Sequence, residues 1–236
     1  MTILYEDNHI IAVNKNSSEI VQGDKTGDKP LSETIKTYIK EKYNKPGEVF
    51  LGVTHRLDRP VSGVVLFAKT SKALARLNDM FRNQEVKKTY WAIVQNRPKE
   101  TEGRLEHYLV RNEKQNKSFA YAEERKDAKK AALTYKLIAA SDRYFLLEVQ
   151  LETGRHHQIR CQLAAMGCPI KGDLKYGFAR SNPNAGISLH ARSVSFIHPV
   201  SKEKIDITAP VPQDDKLWKS FEEMVKDAPQ PPKGGA

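Results

Sequence analysis

The sequence predicts a single α+β domain, with a mixed, largely antiparallel central sheet flanked by helices. Three observations predict it. Stretches with strand-like alternation or apolar density outnumber those with helical periodicity. Neighbouring strand segments are often joined by short polar turns rather than by helix-length crossovers. The length of 236 residues, 39% of them apolar, suits one large domain or two small ones and can bury a sizeable core.

In chain order, HIIAVNK (9–15) reads as a short strand. LSETIKTYIKEKYN (31–44) reads as a helix with Leu31, Ile35, Tyr38 and Ile39 on one stripe and Ser32 as its cap. The apolar run 64–68 is a strand, and SKALARLNDMFRN (71–83) repeats the helical pattern with Leu74, Leu77 and Phe81 inward and Ser71 at its start. TYWAIVQ (89–95) and YFLLEVQL (144–151) are strands, the second alternating Phe145, Leu147, Val149 and Leu151. Residues 111–130 are polar and charge-rich, a solvated hairpin or loop. RHHQIRCQLAAMG (155–167) is a short helix ending at Gly167, with Ile159, Leu163 and Met166 inward and His156 and Arg160 sharing a face at i, i+4. Residues 187–210 form a hairpin turning at Val200-Ser201-Lys202. DDKLWKSFEEMVKDA (214–228) closes the fold as an amphipathic helix. The expected domain is 1–226, followed by a flexible tail, 227–236.

Charge narrows the function. Lysine and arginine number 39 against 29 acidic residues, a net +10. Such an excess favours a polyanionic partner, above all nucleic acid, because neutralised phosphates release counterions. Lys87, Lys88 and the run 125–130 are candidate phosphate contacts. The two cysteines, Cys161 and Cys168, have neither the number nor the spacing of a disulfide framework or a structural zinc site. The first residues lack the layout of a signal peptide and no apolar run approaches membrane-spanning length, so the expected location is cytoplasmic, without membrane association.

One stretch carries chemistry. In VTHRLDRPVSGVVLFAKT (53–70), Asp58 stands between Arg56 and Arg59, just ahead of a buried strand. As an isolated string this is a surface ion pair. At the mouth of a rigid strand, a carboxylate beside guanidinium groups keeps its charge in a dry cleft, and can attack or stabilise an electron-poor sugar carbon.

HRLDRPVSGVVLFAKT closely resembles the H-R-L-D-x-x-(T/V)-S-G-x-x-x-x-A-K segment of the RluA-type RNA pseudouridine synthases. Three further stretches agree in order: KKTYWAIV (87–94), LETGRHHQIRCQLAAMGCPIKGDLKYG (151–177) and LHARSVSFIHPVSKEKIDITAP (189–210). The likeness as a whole runs from about residue 1 to 212. The resemblance implies the pseudouridine synthase fold with a deep catalytic cleft. It also implies an isomerase that needs no metal or cofactor and turns uridine of ribosomal or transfer RNA into its C-glycoside. By the same resemblance, Asp58 is the nucleophile. Tyr90 stacks on the extruded uracil, and Arg160 pairs with the aspartate. Arg56, Arg155 and His157 bind substrate.

The chain departs from that pattern at Lys15-Asn16-Ser17-Ser18, where relatives often have Lys-Pro-x-Gly. It departs again at His156, usually threonine, and at Gln162, often histidine. The match begins at the catalytic domain, so target recognition is expected from this domain's own cleft, in a monomer. Two other classes compete: a catalytically idle RNA-binding or chaperone protein of the same fold, and a hydrolase that would release free uracil.

Overall fold

The structure is a computed structural model, and it describes residues 1–24 and 26–228. Eleven strands form one sheet: β1 (Thr2–Glu6), β2 (Ile10–Lys15), β3 (Gly52–Val53), β4 (Ser62–Ala68), β5 (Lys87–Val94), β6 (Glu102–Asn112), β7 (Lys117–Tyr121), β8 (Lys129–Ala140), β9 (Phe145–Leu151), β10 (Leu189–Ile197) and β11 (Lys204–Thr208). Their main order is β1-β2-β4-β10-β5-β9-β8-β6-β7, with β3 added to β4 and β11 to β10. Among the described residues every strand pairing is antiparallel except β4 with β10. The α-helices among the described residues are α1 (Leu31–Lys42), α2 (Ser71–Arg82), α3 (Gln158–Ala165) and α4 (Lys216–Asp227). This is the mixed, largely antiparallel α+β sheet that the sequence predicts.

The centre of the sheet is buried on both faces. All seven residues of β4 are buried, as a strand covered on two sides requires. One face carries Ile11, Val65, Ala92 and Leu147 under α1 and α3. The other carries Ile10, Val64 and Leu66 under α2. A separate cluster holds α4 through Trp218 and Phe221 against Trp91, Ile93 and Leu146. Leu146 is as buried as Leu147, so β9 does not keep the simple alternation expected of it.

The single parallel contact depends on Gly63. Its φ is +116°, and a Cβ there would lie 2.4 Å from the Ala191 carbonyl oxygen. Only glycine lets β10 pass this close, at the pairing Ala191↔Gly63. Beside it, the buried Ser62 hydroxyl meets His190 Nδ1 at 2.9 Å.

Several local expectations need correction. Ser32 lies inside α1 and is buried; Pro30 is the N-cap and offers no side-chain acceptor. By contrast, α2 does start at Ser71 as expected, and Thr70 before it is the cap, its Oγ1 accepting from the Ala73 amide. Residues 111–130 hold the β6–β7 hairpin turn, β7 and the start of β8, while most of β6 and β8 passed unread. Residues 229–236 of the expected tail lie outside the described residues.

Candidate active site

Asp58 sits in the loop between β3 and β4, and that loop is tied down from below. Lys15, at the end of β2, is fully buried. Its Nζ donates to the carbonyls of Asn16 (2.9 Å), Arg59 (3.1 Å) and Val61 (2.6 Å). Burial lowers its pKa to about 8. An ammonium group with three carbonyl acceptors thus fastens both sides of Asp58. From the other side, His55 Nε2 accepts the Leu66 amide at 3.0 Å. Burial, then the charge of Lys88, lowers the His55 pKa to about 3, which keeps that nitrogen an acceptor.

The second support is α3. It is buried almost all round, and Arg160 is 5% exposed. Its guanidinium forks onto Asp173, with Nε at 2.7 Å and Nη2 at 2.9 Å. Nη1 reaches Asp58 at 3.1 Å. Burial opposes the charge of Arg160, yet the bonds to Asp173 and Asp58 raise its pKa above the ordinary value. The arginines adjacent in sequence do not play this part. Arg59 pairs with Asp28 on the surface, and Arg56 is exposed.

His156 and His157 stand ahead of α3 rather than in it, so the expected i, i+4 face shared by His156 and Arg160 does not exist. His157 is the N-cap, with φ +52°, a left-handed turn uncommon for a side chain with a Cβ. That turn stacks the two imidazoles, 3.8 Å between centroids and 21° between planes. His157 is buried, its Nε2 3.4 Å from Asp58 Oδ2 and its Nδ1 3.0 Å from Tyr176 Oη. Burial, followed by the charge of Arg160, depresses its pKa to about 2, so the ring faces the carboxylate neutral. Tyr176 Oη already accepts from the Ser118 amide, so its own proton goes to His157 Nδ1. That leaves the imidazole N–H on Nε2, directed at Asp58.

Tyr90 lies on β5 between β10 and β9, paired with Ala191 and Val149. It is 8% exposed. Burial, then the charge of Asp58, raises its pKa, so the side chain is a phenol at neutral pH. The loop between β9 and α3 is fixed by Gln158. Its Oε1 accepts from Thr153 Oγ1 (2.8 Å) and the Arg155 amide (2.9 Å), while Nε2 donates to Ala132 on β8. Arg155 is exposed, and its Nε donates to the Lys130 carbonyl.

All six residues singled out from the sequence, Asp58, Tyr90, Arg160, Arg56, Arg155 and His157, line one cavity of about 360 Å³. That volume lies within the usual range for a small-ligand site. A wider groove of about 720 Å³ adjoins it, sharing His55, Lys88, Gly154 and Arg155 and carrying Arg82 and Lys87. Sequence reasoning missed Asp173 and Tyr176 as partners of the site and set Lys15 aside. The motif Gly172-Asp173 sits in a matched stretch, the only signal that could have marked the acid. Cys161 and Cys168 are both free and buried.

A polar, guanidinium-supported carboxylate beside an aromatic ring, in a basic groove, fits a protein that reacts with a base or sugar of RNA. Comparison with known proteins defines that class. Residues 9–165 match the family described as RNA pseudouridylate synthase. The chain is 32% identical to tRNA pseudouridine synthase C of Vibrio vulnificus, over 94% of both chains. It is 30% identical to ribosomal large subunit pseudouridine synthase D of Zymomonas mobilis, over 92% of this chain and 71% of that protein. An uncharacterised RNA pseudouridine synthase of Synechocystis is 34% identical over 90% of this chain, which spans 66% of that protein's length. In fold, it is similar to human RNA pseudouridylate synthase domain containing 4, with a TM-score of 0.77 at 22% identity over 95% and 93% of the two chains. The chain belongs to the RNA pseudouridine synthase family, a class of isomerases.

Proposed function

We propose that this protein isomerises specific uridines of structured ribosomal or transfer RNA, with Asp58 as the nucleophile. The observation that carries the reading is the 3.1 Å contact between Arg160 Nη1 and Asp58, inside a cavity that Tyr90 also lines. Arg160, locked by Asp173, orients the carboxylate toward the cavity. The reaction replaces the N1–C1′ bond by a C5–C1′ bond; C5 loses its proton and N1 gains one, so composition and redox state are unchanged. Asp58 bonds covalently to the nucleotide while the uracil turns, and is released when C5 joins the ribose.

Tyr90 serves as the platform under the uracil. Stacking on an aromatic ring contributes about 1–3 kcal/mol per base. As a phenol it can also donate a proton, and pass one on. Removing a uridine from its stack costs a few kcal/mol, so loops and single strands are the preferred targets. Arg56, Arg155 and the lysines of the adjoining groove hold the flanking phosphates. The protein acts in the cytoplasm as a monomer and without a metal ion.

The test is a pseudouridine map of total RNA from cells with and without this gene. A position that loses pseudouridine identifies the substrate. An identical map, with purified protein that binds RNA, favours the idle RNA-binding alternative; free uracil in the reaction favours a hydrolase.

A further inference from the structure

His156 has no part in the chemistry above, yet it ties a hairpin 38 residues away to the mouth of the cavity. Ser118 Oγ donates to the His156 carbonyl at 2.8 Å and lies 2.9 Å from His156 Nδ1. On the other side of the ring, Nε2 meets the Asn116 side chain at 3.1 Å. One face of the imidazole is covered by His157. Ser118 itself is 2% exposed, its amide donating to Tyr176 Oη and its carbonyl accepting from Cys161 Sγ. The hairpin is docked here, at the start of β7.

Directly across the hairpin, Ser118 pairs with Arg111 of β6. Opposed residues of an antiparallel pair send their side chains to the same face. Arg111 is exposed and lines the cavity that holds Asp58. Its charge is close enough to disfavour protonation of both His156 and His157. Fixing Ser118 laterally therefore fixes where this guanidinium stands.

We propose that His156 is a positioning residue: it docks the β6–β7 hairpin at the cavity mouth so that Arg111 meets the phosphate of the target nucleotide. The proposal rests on the cavity being the uridine site. A guanidinium suits this place because its planar fork matches phosphate oxygens, and phosphate contacts set the register of a bound strand. Threonine at position 156 keeps a hydroxyl for Ser118, but has no ring to lie on His157 and nothing to reach Asn116.

The experiment uses total [5-³H]uridine-labelled RNA from cells lacking this gene, with protein in excess and tritium release followed through a single turnover. For His156→Thr, the half-saturating protein concentration rises about tenfold, the loss of roughly one charge-assisted contact, and much more than the saturated rate changes. The plot of log affinity against log salt becomes shallower by about 0.7, the slope of one phosphate contact on a single strand. Arg111→Gln gives the same two changes, and the double variant is no worse than Arg111→Gln alone. Asn116→Gly, which keeps the left-handed backbone at that exposed turn (φ +46°), gives a smaller shift in the same direction. An affinity loss with an unaltered salt slope overturns the proposal. So does a fall in the saturated rate alone, or effects that multiply in the double variant. Filter binding of the same RNA repeats the salt titration without turnover. The docking role therefore fails separately from the isomerase reading, which fails if the wild-type protein releases no tritium.

Discussion

Arg160 gives two nitrogens to Asp173 and has only Nη1 left for Asp58. The fork onto a 1% exposed carboxylate sets the plane of the guanidinium, and the contact with Asp58 follows from that plane. The acid in the cavity is thus positioned by a second acid that never reaches the cavity.

Asp173→Asn keeps the shape and removes the charge. Half of a buried pair is then uncompensated, which costs about 3–5 kcal/mol. Turnover falls on the order of 10²-fold, as expected when a reacting group loses its alignment. Urea unfolding and tritium release measure the two effects. A variant as stable and active as the wild type would show that Arg160 needs no anchor.

Lys15→Met separates stability from function. The substitution removes a buried ammonium group, so relief of its desolvation offsets the loss of three hydrogen bonds to carbonyls. Stability therefore changes little. The Asp58 loop loses its fastening, and turnover drops roughly tenfold or more while RNA affinity holds. Equal losses in stability and turnover would contradict this division.

Acid should unfold the protein early. Burial lowers the pKa values of His55, His157 and His190 to about 3, 2 and 4, from 6.5. Between about pH 6.5 and 4 the unfolded chain binds protons at these sites and the folded one does not. Their contribution is complete above pH 6.5 and is lost as pH falls. Urea midpoints from pH 7 to 4.5 should decline steadily, and His55→Gln, which keeps an acceptor for the Leu66 amide, should flatten the decline. A slope unaffected by that change would remove His55 from the account.

Much of this was legible in the sequence because it is local. The expected stripe Leu31-Ile35-Ile39 buries one side of α1, Leu77 of α2 is buried with Leu74 and Phe81 packed partly buried beside it, and the apolar run of β4 is buried throughout. The catalytic candidates came from motifs. What escaped is tertiary. β6 and β8 are long strands whose exposed faces carry charge, with Arg104 bridging Glu106 and Glu152, and Lys130 pairing with Glu106. Such strands show little apolar alternation. Asp173 lies 13 residues beyond Arg160, in a loop, and only the fold brings it there. The His156–His157 pair looked like a helix start, because nothing local announces a left-handed φ at His157.

The most direct test is Asp58→Asn, assayed for tritium release from [5-³H]uridine-labelled RNA alongside RNA binding. With Asp58 as the proposed nucleophile, release falls on the order of 10³-fold or more while affinity stays within a few-fold, since the substitution leaves the proposed phosphate contacts untouched. Release near the wild-type rate would contradict Asp58 as the reacting group.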